Sequence, residues 1–165
     1  FFALLLGDDI FNPEEDALQA LMDAHIASGK SVVGVQEVPQ EHVERYGIVN
    51  NPDNEKNMYW SINNIVEKPS PDKTISRWAV VGRYILTPDI FKLLEETRPG
   101  VGGEIQLTDA LSRLADQGQL IACPIPAKRF DTGNKLDYVK ASIEFALKHP
   151  EIGSEISEYL KHLKI

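Results

Sequence analysis

Cysteine and long apolar runs are both scarce in this chain of 165 residues. Cys123 is the one cysteine, so an internal disulfide framework is excluded and a reducing compartment, the cytoplasm, is expected. No apolar stretch approaches the roughly 18 residues of a membrane-spanning helix, so we expect no association with a membrane. The opening run Phe1–Leu6 lacks the basic residues of a signal peptide, and we interpret it as a strand.

Positive charge is also scarce. Lys and Arg number 17 against 25 Asp and Glu, which leaves a net charge of -8. This balance argues against a general binder of nucleic acid, although a few placed cations and a metal ion can still hold a nucleotide. The four histidines lack metal-ligand spacing, and no Ser-His-Asp or Cys-His pattern predicts nucleophilic catalysis. The 42% of apolar residues predicts a packed core.

The beginning of the chain has the pattern of a strand, a helix and a second strand. The apolar run Phe1–Leu6 is typical of a parallel strand that is buried on both faces. Asn12 as the cap, Pro13 in the first turn and Glu15 at capping-box spacing predict a helix that begins here. Ser31–Val38 is the next predicted strand, and this βαβ order favours a parallel sheet.

The rest of the sequence continues as one α/β domain over residues 1–165. Met58–Val66 and Trp78–Leu86 are predicted strands, and two amphipathic helices are predicted in residues 136–165. We expect these two helices to be a contact between copies of the chain. Because the chain has no initiator Met and opens inside a strand, we also expect it to be truncated at its N-terminus.

Acidic side chains follow the first predicted strand. Asp8 and Asp9 stand at its carboxyl end, where open α/β sheets bind ligands. A carboxylate there can hold Mg²⁺, which takes one or two protein carboxylates and completes its shell with phosphates and water. The alternative is a turn or a helix cap. Asp131, just before the helix at Lys135, is either a second metal ligand or the N-cap of that helix.

An acid and a base stand side by side at the end of another predicted strand. Neighbouring strand residues face opposite ways, so we expect Glu67 to accept hydrogen bonds from sugar hydroxyls and Lys68 to reach a phosphate elsewhere. The alternative is a pair of solvated edge charges. The stretch Gly102–Asp109 is predicted to be a loop and a helix start, which by itself explains its glycines.

Six segments occur in an order that resembles the bacterial UTP–glucose-1-phosphate uridylyltransferases, and the resemblance covers essentially the whole chain. A Val-Glu-Lys-Pro segment alone indicates only sugar-nucleotide transferases in general, whereas the stretches GGEIQLTDA and DTGNKLDY are specific to the uridylyltransferases. The six segments are Leu6–Asp9, Arg45–Gly47, Val66–Pro69, Val81–Tyr84, Gly103–Asp109 and Asp131–Leu136.

This resemblance implies a Rossmann-like α/β nucleotidyltransferase fold with a mixed central sheet and a small β-rich sugar-binding region. The implied reaction joins UTP and glucose 1-phosphate to give UDP-glucose and pyrophosphate, with Mg²⁺ as the cofactor. Asp8 and Asp131 match the family's metal ligands. Gly47 and Glu67 match the residues that contact the sugar, and Lys68 matches the catalytic lysine that contacts the sugar phosphate. Members of the family commonly form dimers or tetramers, so the resemblance also implies a homo-oligomer.

The chain also departs from the family pattern. Arg77 stands where the family often has asparagine, which leaves its role open. The glycine-rich loop that binds the triphosphate is absent, so about 100 residues, or three βα units of ~30 residues, are expected to be missing. We therefore expect that the chain alone does not make UDP-glucose. The alternatives are another sugar-phosphate nucleotidyltransferase and a non-catalytic assembly fragment.

Overall fold

The computed structural model describes residues 1–12, 14–51, 57–74, 76–99 and 103–163. The strands within these ranges are β1 (Phe2–Leu5), β2 (Asp9–Phe11), β3 (Ser31–Glu37), β4 (Gly47–Val49), β5 (Trp60–Ser61), β6 (Ile65–Glu67), β7 (Trp78–Leu86), β8 (Leu120–Pro124) and β9 (Arg129–Asp131). The helices are α1 (Ala17–Ser28), α2 (Asp89–Glu96), α3 (Leu107–Asp116), α4 (Lys135–Lys148) and α5 (Gly153–His162), with a 3₁₀ helix at Gln40–Arg45. None of these helices has both the length and the apolar composition to cross a lipid bilayer.

Seven strands form one mixed sheet, and the remaining two form a separate ribbon. The order in the sheet is β5-β8-β3-β7-β4-β6, with β1 paired to β7 beside β4. β3 and β8 are parallel, whereas the other pairs are antiparallel. β2 pairs with β9 in the ribbon. The expected α/β fold with a mixed central sheet is confirmed, and β4 and β6 extend that sheet at one end.

The first strand differs from its prediction. β1 and β3 both run antiparallel to β7, so they run in the same direction, but β7 lies between them. The expectation that β1 is buried on both faces is wrong, because its side chains alternate between two environments. Phe2 and Leu4 pack against the core, while Leu5 on the other face is 49% exposed. An unbroken apolar run therefore does not guarantee two buried faces.

The sheet is curled. The sequence predicts one strand over Met58–Val66, but the structure has two short strands, β5 and β6, at opposite ends of the strand order. Only residues 62–64 separate them, which limits the distance between the Cα atoms of Ser61 and Ile65 to about 15 Å. The two ends of the sheet must therefore come close together.

Helices cover both faces of the sheet. Successive side chains of β3 point to opposite faces, as the period of a strand requires. Val32 packs with Leu21 of α1 in one apolar cluster. Val33 and Val35 pack on the other face with residues of α2 and α3, including Leu111. The resulting α/β/α layering leaves the carboxyl end of β6 and the first turn of α3 beside each other at one edge.

Helix α1 begins later than the sequence predicts. Asp16 is its N-cap residue and accepts a hydrogen bond from the backbone N–H of Gln19 at 3.0 Å. Asn12 instead donates its side-chain amide to Glu15 at 3.0 Å, so these two residues pair with each other and form no capping box. Pro13, predicted for the first turn, lies outside the described residues. The cap is therefore Asp16, which stands three residues before the amide that it caps, and not Asn12, whose spacing to Glu15 resembles a capping box.

Candidate active site

A cavity of about 370 Å³ opens at the edge where β4, β6, the ribbon and the first turn of α3 meet. All five residues that the sequence marks as candidates line this cavity. They are Asp8, Gly47, Glu67, Lys68 and Asp131. The fold therefore brings together in one place residues that come from four separate stretches of the sequence.

Two acidic residues meet in the cavity because of the ribbon. The antiparallel register pairs Asp9 at the start of β2 with Asp131 at the end of β9. Thr132 extends this pairing, since both its backbone N–H (2.7 Å) and its hydroxyl (2.8 Å) donate to the carbonyl oxygen of Asp8. Asp8 and Asp131 are thus fixed next to each other through backbone hydrogen bonds.

Gly133 leaves the space between these two carboxylates open. A Cβ atom on residue 133 would lie 3.2 Å from Oδ1 of Asp131 and 3.6 Å from Oδ2 of Asp8. Both oxygens therefore border the same small volume. Glycine keeps that volume free, and any larger residue would fill it.

The N-cap alternative does not hold for either carboxylate, although Asp8 does stand in the turn before β2. Asn134 is the N-cap of α4, and its side chain accepts hydrogen bonds from the backbone N–H groups of Leu136 (2.9 Å) and Asp137 (3.3 Å). Asp131 is therefore not needed as a cap. Asp8 does not cap α1 either, since Asp16 does so. Both residues line the cavity.

Glu67 and Lys68 lie on the same side of the sheet edge, so the expectation that they face opposite ways is wrong. Lys68 follows β6 and has a positive φ of 46°, a left-handed conformation that a non-glycine residue rarely adopts. This turn brings Nζ of Lys68 to 3.6 Å from Oε1 of Glu67. The period of a strand does not extend past its last residue, and the two side chains therefore share the cavity.

Glu67 is held by its neighbours. The hydroxyl of Thr108, in the first turn of α3, donates to Oε2 of Glu67 at 2.7 Å. Gly47 pairs with Glu67 across β4 and β6, and a Cβ atom on residue 47 would come within 3.2 Å of the same oxygen. Gly47 thus leaves room for the carboxylate and exposes backbone to the cavity.

A buried network of hydrogen bonds and charges stands behind Asp131. Arg129 forms an ion pair with Asp9, and their side chains are only 9% and 12% exposed. Arg129 also donates to the hydroxyl of Tyr46 at 3.1 Å, and that hydroxyl donates to Oδ2 of Asp131 at 2.9 Å. Tyr46 lies inside a segment that carries the family resemblance, so only its position in a motif could have indicated it. Arg77, by contrast, pairs with Glu37 at the exposed surface.

Burial governs the protonation of this network. It raises the pKa of Asp9 above its usual value; the Arg129 guanidinium opposes the rise, while the Asp131 and Asp8 carboxylates add to it. Burial likewise raises the pKa of Tyr46, so its phenol stays protonated at neutral pH. Tyr84, which also lines the cavity, has its pKa raised to about 12 by burial.

The carboxylates suit Mg²⁺ better than a metal held wholly by protein. Among the described residues, no group of three or more His, Cys, Asp and Glu side chains could hold a metal ion. Mg²⁺ in nucleotide enzymes usually takes one or two carboxylates and keeps its remaining positions for phosphates and water. The open volume between Asp8 and Asp131 matches that requirement.

The family comparison agrees with the fold. Residues 1–147 match the family model described as nucleotidyl transferase, and the chain belongs to this family. The match covers all five candidate residues.

Within the family, the resemblance to the UTP–glucose-1-phosphate uridylyltransferases that the motifs indicate is confirmed. A UTP–glucose-1-phosphate uridylyltransferase of Staphylococcus epidermidis is 43% identical over 164 residues, which is 99% of this chain and 57% of that protein. A UTP-bound UDP-glucose pyrophosphorylase of Acinetobacter baumannii has a TM-score of 0.83 at 35% identity, covering 99% of this chain and 56% of its own. A UDP-glucose pyrophosphorylase in complex with UDP-glucose has a TM-score of 0.82 at 37% identity, covering 90% of this chain and 56% of its own. The chain spans about half the length of the relatives it matches.

The buried ion pair of Arg129 and Asp9 predicts how the free energy of unfolding changes when one or both side chains are replaced. Arg129→Met should lower the free energy of unfolding by about 3–5 kcal/mol, because it leaves the Asp9 carboxylate buried without its partner. The double variant Asp9→Asn/Arg129→Met should recover a large part of that loss, since no charge is then left unpaired. Urea unfolding followed by circular dichroism measures both values. Additive losses in the double variant would show that the two side chains do not interact.

Proposed function

We propose that this chain carries the sugar-phosphate and metal residues of a UTP–glucose-1-phosphate uridylyltransferase. The observation that carries the proposal is the meeting of Asp8 and Asp131 with Glu67 and Lys68 in one cavity. The relatives support it, since the similar structures bind UTP in one case and UDP-glucose in another. The substrates are then UTP and glucose 1-phosphate, and the products are UDP-glucose and pyrophosphate.

The reaction needs positioning more than proton transfer. A phosphate oxygen of glucose 1-phosphate attacks the α-phosphorus of UTP in line. The new O–P bond forms as the bond from the α-phosphorus to the bridging oxygen breaks, and pyrophosphate leaves with those electrons. Because the nucleophile is already an anion, no general base is required. The chain therefore acts by aligning two phosphates and by offsetting their negative charge.

Three residues on one side of the cavity bind the sugar phosphate in this proposal. Glu67 accepts hydrogen bonds from the glucose hydroxyls, with its carboxylate oriented by Thr108. Backbone at Gly47 approaches the sugar, since no side chain stands in the way. Lys68 extends its ammonium group to the sugar phosphate, where a mobile cation can follow the charge as it moves.

Asp8 and Asp131 would hold Mg²⁺ opposite the sugar side. When bound, the ion neutralises phosphate charge and stabilises the charge that develops in the transition state. The proposed ligands are Oδ2 of Asp8 and Oδ1 of Asp131, the two oxygens that border the open volume at Gly133. Phosphate and water would complete the coordination.

The activity can be tested in a chimera, in which these 165 residues replace the matching segment of the Staphylococcus epidermidis relative. We expect the chimera to release pyrophosphate from UTP and glucose 1-phosphate, and the chain alone to release none. A preference for galactose 1-phosphate or N-acetylglucosamine 1-phosphate would favour another sugar-phosphate nucleotidyltransferase. A folded but inactive chimera would favour a non-catalytic assembly fragment.

Kinetic constants of chimera variants should distinguish the role of Glu67 from that of Lys68. Glu67→Ala should raise KM for glucose 1-phosphate roughly ten- to hundredfold, as expected for a lost hydrogen bond to a charged group. Lys68→Ala should lower kcat as well, because its charge also serves the transition state. Lys73→Ala, an exposed lysine in the loop after β6, is the matched control. A kcat/KM within twofold of wild type in Lys68→Ala would refute the assignment.

Metal binding can be measured on the chain itself, with Mn²⁺ as the probe and electron paramagnetic resonance of the free ion as the signal. Asp8→Asn and Asp131→Asn should each weaken Mn²⁺ binding by roughly tenfold or more, because each removes a charged ligand. Asp116→Asn, at the exposed end of α3, should bind as wild type does. Unchanged binding in the first two variants would rule out this metal site.

We also propose a cytoplasmic homo-oligomer. The single buried thiol, Cys123, is in keeping with a reducing compartment. For assembly, α4 carries a stripe of exposed apolar side chains at helical spacing, of the kind that marks a protein contact. The members of this stripe are Leu136, Val139, Ile143 and Leu147. A second copy of the chain is the proposed occupant, in a dimer or a tetramer.

Sedimentation of the chain tests the assembly. The wild-type chain should sediment as a dimer or larger species, and Ile143→Glu should sediment as a monomer because it places a charge in the apolar contact. Lys73→Gln, in the exposed loop after β6 and outside α4, should assemble normally. A monomeric wild-type chain would contradict the proposal. If α4 is protected from hydrogen exchange only in the chimera, the stripe packs against the remainder of the relative and not against a second copy.

A further inference from the structure

Tyr46 connects the two sides of the cavity. Its hydroxyl contacts Oδ2 of Asp131 at 2.9 Å on the metal side. Its backbone carbonyl accepts the N–H of Lys68 at 3.0 Å on the sugar side. The Lys68 ammonium in turn lies 3.6 Å from the carboxylate of Glu67, the proposed sugar-binding group. One residue therefore contacts a proposed metal ligand and the proposed phosphate-binding lysine.

The direction of the hydrogen bond from Tyr46 is fixed by chemistry. Arg129 can only donate, and it donates to the Tyr46 hydroxyl at 3.1 Å. The oxygen of Tyr46 is therefore the acceptor in that contact, and its own proton goes to the carboxylate of Asp131. The guanidinium also lies over the Tyr46 ring, 4.9 Å from its centroid, which restrains the ring.

This hydrogen bond decides which oxygen of Asp131 is free. Oδ2 is occupied by the Tyr46 proton, while Oδ1 borders the open volume that Oδ2 of Asp8 also borders. A carboxylate that lost this restraint could rotate about its Cβ–Cγ bond and turn either oxygen, or both, toward the cation. Partners of this kind hold a ligand in one orientation and typically change metal affinity by about 10–100-fold when they are removed.

We propose that Tyr46 is a positioning residue of the proposed uridylyltransferase. It orients Asp131 toward the metal and fixes the position of that carboxylate relative to Lys68. The inference rests on the proposed function, because it requires Asp131 to be a metal ligand. Tyr46 does not touch substrate in this scheme. It sets the geometry between the metal side and the sugar-phosphate side.

The test removes one oxygen atom. Tyr46→Phe keeps the ring over Arg129 and the backbone contact with Lys68, so the fold is retained, as circular dichroism and urea unfolding can verify. Mn²⁺ affinity of the chain, measured by electron paramagnetic resonance, should fall by about tenfold. In the chimera, kcat should fall while KM for glucose 1-phosphate stays within about twofold, because the sugar contacts are unchanged. Tyr159→Phe, an exposed tyrosine on α5, is the matched control.

The outcomes distinguish this inference from the proposed function. Weaker Mn²⁺ binding in both Asp131→Asn and Tyr46→Phe, with Tyr159→Phe unchanged, supports the positioning role. Weaker binding in Asp131→Asn alone overturns that role and leaves the proposed metal site standing. Wild-type binding in Asp8→Asn and Asp131→Asn overturns the proposed metal site, and the role of Tyr46 with it. A rise in KM equal to the loss of kcat in Tyr46→Phe would overturn the claim that only orientation is affected.

Discussion

The ion pair between Arg129 and Asp9 is the interaction on which the cavity depends. It lies inside the ribbon, with one partner on each strand, and it is almost closed to solvent. A second guanidinium, that of Arg83 from β7, donates to the backbone carbonyl of Asp9 at 2.7 Å and so ties the ribbon to the main sheet. Charged groups removed from water are stable only with such partners. The arrangement fixes the ribbon in the one position that brings the neighbouring carboxylates into the cavity.

Much of the fold and the site could be predicted from local pattern. β7 and the helices α4 and α5 follow the periodicity of their residues, and the five candidate residues stand in short motifs that keep their order. The exposed face of β1 could not be predicted, because burial depends on what lies over a strand and not on its own composition. The split of one predicted strand into β5 and β6 depends on the curl of the sheet, which no local pattern records.

The parts of the site that sequence reasoning missed are those that depend on tertiary contacts. Tyr46 and Arg129 matter through a hydrogen bond between residues far apart in the chain. The shared side of Glu67 and Lys68 depends on one left-handed backbone conformation, which the usual strand geometry excludes. Thr108 stands in a recognised stretch, but its contact with Glu67 requires α3 to lie against β6.

The ribbon also has a consequence for the order of folding. Its two strands, Asp9–Phe11 and Arg129–Asp131, are far apart in the sequence, so their pairing closes one of the longest loops in the described fold. Long loops cost chain entropy before their contacts form, and such contacts tend to appear late. During synthesis Asp8 leaves the ribosome well before Asp131, with six of the seven strands of the central sheet in between. The acidic centre is therefore completed only after the sheet that supports it, and a partly folded chain lacks the assembled pair of carboxylates, Asp8 and Asp131.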